Sequence, residues 1–218
     1  MTDNFVRNSH KEFLNSLISG NRLTSSKLAN NILNQRVSIK ELYENIIKKA
    51  LYDIGVLWEF NKISVATEHL ASAIVEAILN ELYLKVISEE KINKTVITAC
   101  VENEFHQIGI KMVSDVFEMN GWNVHFLGAN TPAKELIDFI KITKPDVLAL
   151  SLSIYFNLPV LENMIQMIRK EFPVLPILVG GQAFRHGSQN VLLKYDNVIY
   201  KSDLNSTDLF IKTLNQNG

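Results

Sequence analysis

Residues 95–109 read Thr95-Val-Ile-Thr-Ala-Cys-Val-Glu-Asn-Glu-Phe-His-Gln-Ile-Gly109. An apolar run of strand length, Thr95–Val101, gives way to a polar loop and then to an amphipathic helix over Ile110–Asn120. A strand covered on both faces reads as a continuous apolar run rather than an alternating one. The same unit recurs towards the C-terminus. Trp122–Leu127, Val147–Ser153, Ile177–Val179 and Val198–Tyr200 read as strands, with helices predicted over Ala133–Thr143, Leu158–Phe172 and about Thr207–Leu214. Strands alternating with helices imply a parallel sheet with right-handed crossovers. The expected fold is an α/β, flavodoxin-like doubly wound domain over residues 91–218.

Before residue 90 the period is different. Proline is absent and the apolar spacing is helical. Leu28, Ile32 and Leu33 follow Ser25-Ser26 in a first amphipathic segment. Ser38-Ile-Lys-Glu41 has the form of a capping box, with Val37 and Leu42 placed as a hydrophobic staple. Leu42, Ile46, Ala50, Ile54 and Leu57 then repeat at spacings of three and four. Ser64 is a good N-cap for a long helix running to about Val86. With a further helix over about Phe5–Ile18, residues 1–90 read as a four-helix bundle.

Composition narrows the function. The 218 residues carry 22 Lys and Arg against 23 Asp and Glu, a formal charge of −1, with no basic cluster to neutralise phosphates. No apolar run approaches the roughly 18 residues of a membrane span. The N-terminus lacks the pattern of a secretory signal, so a cytoplasmic protein is expected. The one cysteine, Cys100, lies inside the first strand and is expected to be a buried structural thiol. Zinc-ligand spacings, a Walker loop and a G-x-S-x-G elbow are all absent from the sequence. The chemistry is therefore expected to come from a cofactor or a partner, not from a catalytic group of this chain.

In a doubly wound sheet, ligands bind beyond the carboxyl ends of the strands where strand order reverses, here between the first and third strands. Three segments reach that crevice: Glu104-Phe-His-Gln-Ile-Gly109, Ser151-Leu-Ser-Ile-Tyr155 and Gly180-Gly181-Gln182. His106 offers an imidazole, a common metal ligand. Glu104 can accept its other ring N–H and fix the tautomer. Gly109 is read as allowing close helix approach, Ser151 and Ser153 as presenting hydroxyls to one face, and Gly180-Gly181 as making room for a flat ligand. Each signal also has a plainer explanation, a solvated loop histidine or an ordinary glycine turn. Their convergence on one crevice favours a site.

Glu104-x-His106-x-x-Gly109, with Ser151 and Gly180-Gly181, resembles the cobalamin-binding domain of methionine synthase, mutases and corrinoid proteins. That resemblance implies His106 as the lower ligand on cobalt, and a channel for the nucleotide tail along the serine and glycines. The family's usual first residue is Asp; here it is Glu104. Leu57-Trp-Glu59 and Ile63-Ser-Val-Ala-Thr-Glu-His69 resemble the helical half of the MerR-type cobalamin-dependent photoreceptor regulators. There the bundle caps the upper face, and the matching Trp58, Val65, Glu68 and His69 are implied to surround an adenosyl group. The plainer reading of these residues is that Trp58 closes the bundle core, while His69, Ser72, Glu76 and Asn80 form a solvated polar stripe.

The resemblance implies a light sensor that loses the upper ligand of adenosylcobalamin and changes conformation, self-association or contact with a downstream regulatory protein. A homo-oligomer is expected in that case. Those regulators carry an N-terminal helix-turn-helix, and none precedes this bundle, so direct nucleic-acid binding is not expected. Where some of them carry a cobalt-capturing histidine after the tryptophan, this chain has Glu59. Two alternatives stay open: a corrinoid methyl carrier of a methyltransferase system, and a sensor pairing cobalamin with a non-covalent bilin. A mutase would need a substrate-enclosing barrel that 218 residues cannot supply.

Overall fold

Short polar residues start three helices of the N-terminal half, as their side chains can accept backbone N–H groups that a helix leaves unpaired. In the computed structural model, which describes residues 3–185 and 187–216, helix α1 spans Asp3–Ile18 and α2 spans Arg22–Asn34. The cap of α2 is Asn21, whose Oδ1 accepts the Thr24 N–H at 3.0 Å. Ser25, expected near the helix start, lies inside it instead, fully buried with its hydroxyl 2.8 Å from that of Ser16. Ser38 and Glu41 form the expected capping box on α3, Ile39–Leu42. Ser64 Oγ accepts the Thr67 N–H at 3.1 Å at the start of α5, Val65–Val86.

Between α3 and α4 (Lys48–Glu59) the chain makes a π-helical segment, Tyr43–Ile47, without leaving helical geometry. The reason is in the spacing. Leu42, Ile46, Ala50 and Ile54 recur every four residues, and in an α-helix such a row drifts by about 40° per step. A slower π turn takes up part of that drift, and all four side chains are buried. Helix α1 packs on α2, α4 and α5, and α5 also packs on α2 and α4. The unit is a four-helix bundle in which α3, the π segment and α4 act as one rod.

The second unit is a five-stranded parallel sheet in the order β2-β1-β3-β4-β5, formed by β1 Thr95–Cys100, β2 Asn123–Gly128, β3 Val147–Ser151, β4 Ile177–Gly180 and β5 Val198–Tyr200. The order reverses between β1 and β3, as expected. Helices α6 (Ile108–Met119) and α9 (Leu204–Gln216) pack together, and α6 covers β1, β2 and β3. Thr98 on β1 faces that layer, its hydroxyl 2.7 Å from that of Ser114. On the opposite face, Ile97, Ala99, Leu148, Leu150, Ile177 and Val179 pack with Leu136, Ile137 and Ile140 of α7 (Ala133–Thr143) and with Leu161, Met164, Ile165 and Ile168 of α8 (Leu158–Glu171). Helix α9 begins earlier than its apolar spacing suggests, because Asp203 Oδ1 accepts the Ser206 N–H at 2.7 Å. The division between the units falls after Val86, slightly before the change of pattern near residue 90. Among the described residues, no helix is long and apolar enough to cross a membrane.

Candidate functional site

The loops leaving β1, β2 and β3 are tied by asparagines in turns. Asn103 and Asn130 adopt positive φ, 66° and 48°, a region that asparagine tolerates better than other residues with a side chain. Asn130 Oδ1 accepts the Asn103 N–H at 2.9 Å, and the Asn130 N–H donates to Glu104 O at 2.8 Å. From the β3 loop, Asn157 Nδ2 donates to Asn103 O at 3.2 Å. Gln107 Oε1 accepts the Ala129 N–H at 3.1 Å. Asn103, Asn130, Asn157 and Gln107 were given no role in the sequence. An asparagine just beyond a strand end is the signal that would have found two of them.

Glu104 lies at the centre of this loop cluster and is fully buried. Its Oε1 accepts the His106 N–H at 3.0 Å and lies 2.5 Å from His106 Nδ1. Its Oε2 accepts the N–H groups of Ser153 and Ile154, both at 2.8 Å. Burial pushes the carboxyl up. The His106 ring and the backbone N–H groups of Ile154, His106 and Ser153 outweigh it and bring the pKa down to about 2. Beside an ionised carboxylate, Nδ1 carries the proton of the neutral ring, and Nε2 is then the nitrogen that bears the lone pair. The His106 side chain is 56% exposed.

Glutamate in place of aspartate has a use in this geometry. The longer side chain reaches the β3 loop while still holding the histidine. Among the described residues, no group of three or more His, Cys, Asp or Glu stands together as a metal site.

The remaining expected residues fall close by, some for other reasons. Ser151 ends β3 in register with Gly180 on β4. The strand stops there, so its two-residue alternation does not extend to Ser153. Ser153 instead contributes its backbone N–H and lines a cleft of about 580 Å³ with Tyr155, Gln182, Ala183, Gly187 and Ser188. Gly181, at φ +118°, is required by the protein's own backbone, since a Cβ there would fall 2.2 Å from Leu152 O. A Cβ on Gly180 would fall 2.9 Å from Lys201 O. Gly109 does not serve a close helix approach: the nearest atom to an added Cβ is Ser151 Oγ, at 4.0 Å. That glycine leaves space above the serine.

In the helical unit, Trp58 ends α4 and Val65, Glu68 and His69 open α5. Trp58 is 48% exposed, so it does not close the bundle core. The fully buried tryptophan is Trp122, whose Nε1 donates to Asn215 Oδ1 at 2.9 Å. Ser72 Oγ donates to Glu68 Oε1 at 3.0 Å, and Glu68 Oε2 lies 3.6 Å from His69 Nε2. Gly20, in the α1–α2 turn, backs onto the Leu70 side chain. Leu23, Val56, Trp58, Phe60, Val65 and Leu70 are large apolar residues of this unit that stand exposed.

A family model described as a B12 binding domain matches residues 94–202, and a second of the same description matches residues 10–83. The HTH-type transcriptional repressor CarA of Myxococcus xanthus is 29% identical over 152 residues, which make up 69% of this chain and 51% of that protein. The chain thus matches about half the length of that relative, 51%. Dimethylamine corrinoid protein 1 of Methanosarcina acetivorans is 27% identical over 147 residues, 65% of this chain and 68% of that protein. The solved monomethylamine corrinoid protein of Methanosarcina barkeri has the same fold, with a TM-score of 0.81 over 95% of this chain and 99% of that one, at 13% identity.

Proposed function

The chain belongs to the B12-binding domain family, and from that premise we propose that it is a cobalamin-dependent light sensor whose helical unit reads the upper axial ligand. Cobalamin binding follows from the family, and the residues present fit the group. His106 supplies a single imidazole donor suited to cobalt. Glu104 holds the ring's orientation and raises its donor strength. Gly109, Ser151 and Ser153 are assigned to the path of the nucleotide tail, with Gly180 and Gly181 keeping the β4 end close to the protein's own backbone beside it. An alkylcobalamin, when bound, supplies a weak and light-labile cobalt–carbon bond.

The observation that carries the sensing role is the exposure of Trp58. A tryptophan that merely packed the bundle would be buried; this one stands half exposed at the α4–α5 corner with Val65, Glu68 and His69. We assign these four residues to contacts with an adenosyl group. Contacts made in one ligand state and absent in the other are what a population shift requires. The expected output is a change in self-association or in contact with a regulatory partner.

The test is anaerobic illumination of the full chain loaded with adenosylcobalamin, followed by absorbance and size-exclusion chromatography. Loss of the alkyl spectrum with a shift in elution is expected. A light-stable spectrum, or photolysis with unchanged elution, overturns the sensor. The likeness to a dimethylamine corrinoid protein supports a second reading, a methyl carrier. A carrier prefers methylcobalamin and cycles through cobalt(I) with a partner methyltransferase, whereas Trp58→Ala in the sensor selectively weakens retention of the adenosyl form.

A further inference from the structure

Four large apolar side chains stand exposed on the two loops that Glu104 joins: Phe105 on the first, and Ile154, Tyr155 and Phe156 on the second. Phe156 is 89% exposed. Water-facing aromatics of this size are costly unless something covers them. They are not on a loose tip. Tyr155, Phe156 and Asn157 form a 3-10 turn with a tie on each side. Before it, the Ser153 and Ile154 N–H groups bond to Glu104; after it, Asn157 Nδ2 bonds to Asn103 O. Phe105 lies between the same anchors, flanked by Glu104 and His106. The aromatics are therefore fixed relative to the histidine by the carboxylate that orients its ring.

We propose that Phe105, Tyr155 and Phe156 form an apolar seat for the corrin ring beside His106, and so set affinity for the macrocycle independently of the nucleotide tail. The inference rests on the cobalamin reading above. A macrocycle whose metal is bound by His106 extends several ångströms from that metal in every direction, over the residues flanking the ligand. The ring periphery is largely hydrocarbon, and covering it with aromatic faces removes apolar area from water on both sides. Tyr155 also lines the cleft beyond β3 and β4, so its ring borders both the seat and the polar recess.

The test compares Phe105→Ala, Tyr155→Phe and the double variant Tyr155→Ala/Phe156→Ala with the wild-type full chain. Each is titrated with hydroxocobalamin and with cobinamide, which lacks the nucleotide tail, and followed by absorbance and tryptophan fluorescence. Each lost ring is expected to weaken binding on the order of tenfold, by the same factor for both corrinoids, while Tyr155→Phe keeps its affinity. The urea midpoint of the cofactor-free chain should not move, because the side chains are exposed. Unchanged affinity for both corrinoids overturns the seat, as does a loss confined to hydroxocobalamin, which would assign the turn to the tail. Wild type that binds neither corrinoid overturns the cobalamin reading itself. Wild type that binds both, and loses its spectral shift in His106→Ala, upholds that reading whatever the aromatic variants do.

Discussion

His106 Nδ1 lies 2.5 Å from one oxygen of Glu104, while the other oxygen accepts Ser153 and Ile154 N–H groups at 2.8 Å each. A carboxylate has acceptors on both oxygens; an amide does not. In Glu104→Gln the NH₂ must face either the His106 N–H or the N–H pair of the β3 loop. At least one buried donor is left unmet, at a cost of about 1–3 kcal/mol. Urea unfolding of the cofactor-free variant should show that loss. Unchanged stability would mean the carboxylate does not join the two loops.

The pKa of the same group sets an acid limit. The Glu104 pKa is lowered in the folded chain, from an ordinary 4.5 to about 2. Its contribution is therefore complete above about pH 4.5 and fades as pH falls towards 2, about 3 kcal/mol in all. Glu104→Gln has no such group to protonate. Wild-type stability should drop more steeply than that of the variant across this window. Parallel curves would assign acid sensitivity to other carboxylates.

Cys100 is the counterpart behind the site. Burial first, and the Glu104 charge second, push its thiol up to about 12. At pH 8 the native chain should resist iodoacetamide, since the thiolate is the nucleophile, and label fully in urea. Rapid labelling of the native chain would show that β1 opens locally.

Continuous apolar runs such as Val147–Ser151 and the four-residue rows of the bundle made both architectures legible, because burial on two faces or one stripe is written directly into residue type. The Glu104–His106 pair was legible for a similar reason: two residues apart on a short loop, they had few places to go. Asn157 and the N–H groups of Ser153 and Ile154 were not, since their bonds to the β1 loop depend on tertiary closure across some fifty positions. The Tyr43–Ile47 π segment was hidden because spacings of four suit an α-helix when read one step at a time. Glycine gave the least reliable signal, as its missing side chain can make room for a ligand or for the protein itself.

That ambiguity can be resolved at two positions. At Gly181, φ is +118° and an added Cβ would sit 2.2 Å from Leu152 O. Gly181→Ala must displace backbone, and a loss of roughly 3 kcal/mol or more is expected. Gly109 lies in the first turn of α6 with nothing nearer an added Cβ than Ser151 Oγ at 4.0 Å. Gly109→Ala removes chain entropy from the unfolded state and should stabilise the cofactor-free chain by up to about 1 kcal/mol. If the space above Ser151 belongs to the cofactor, the same methyl group should weaken hydroxocobalamin binding while leaving cobinamide binding alone, because only the former carries a tail. Urea unfolding and the two titrations separate these effects. A Gly109→Ala chain that is more stable and binds both corrinoids as wild type does would remove Gly109 from the site.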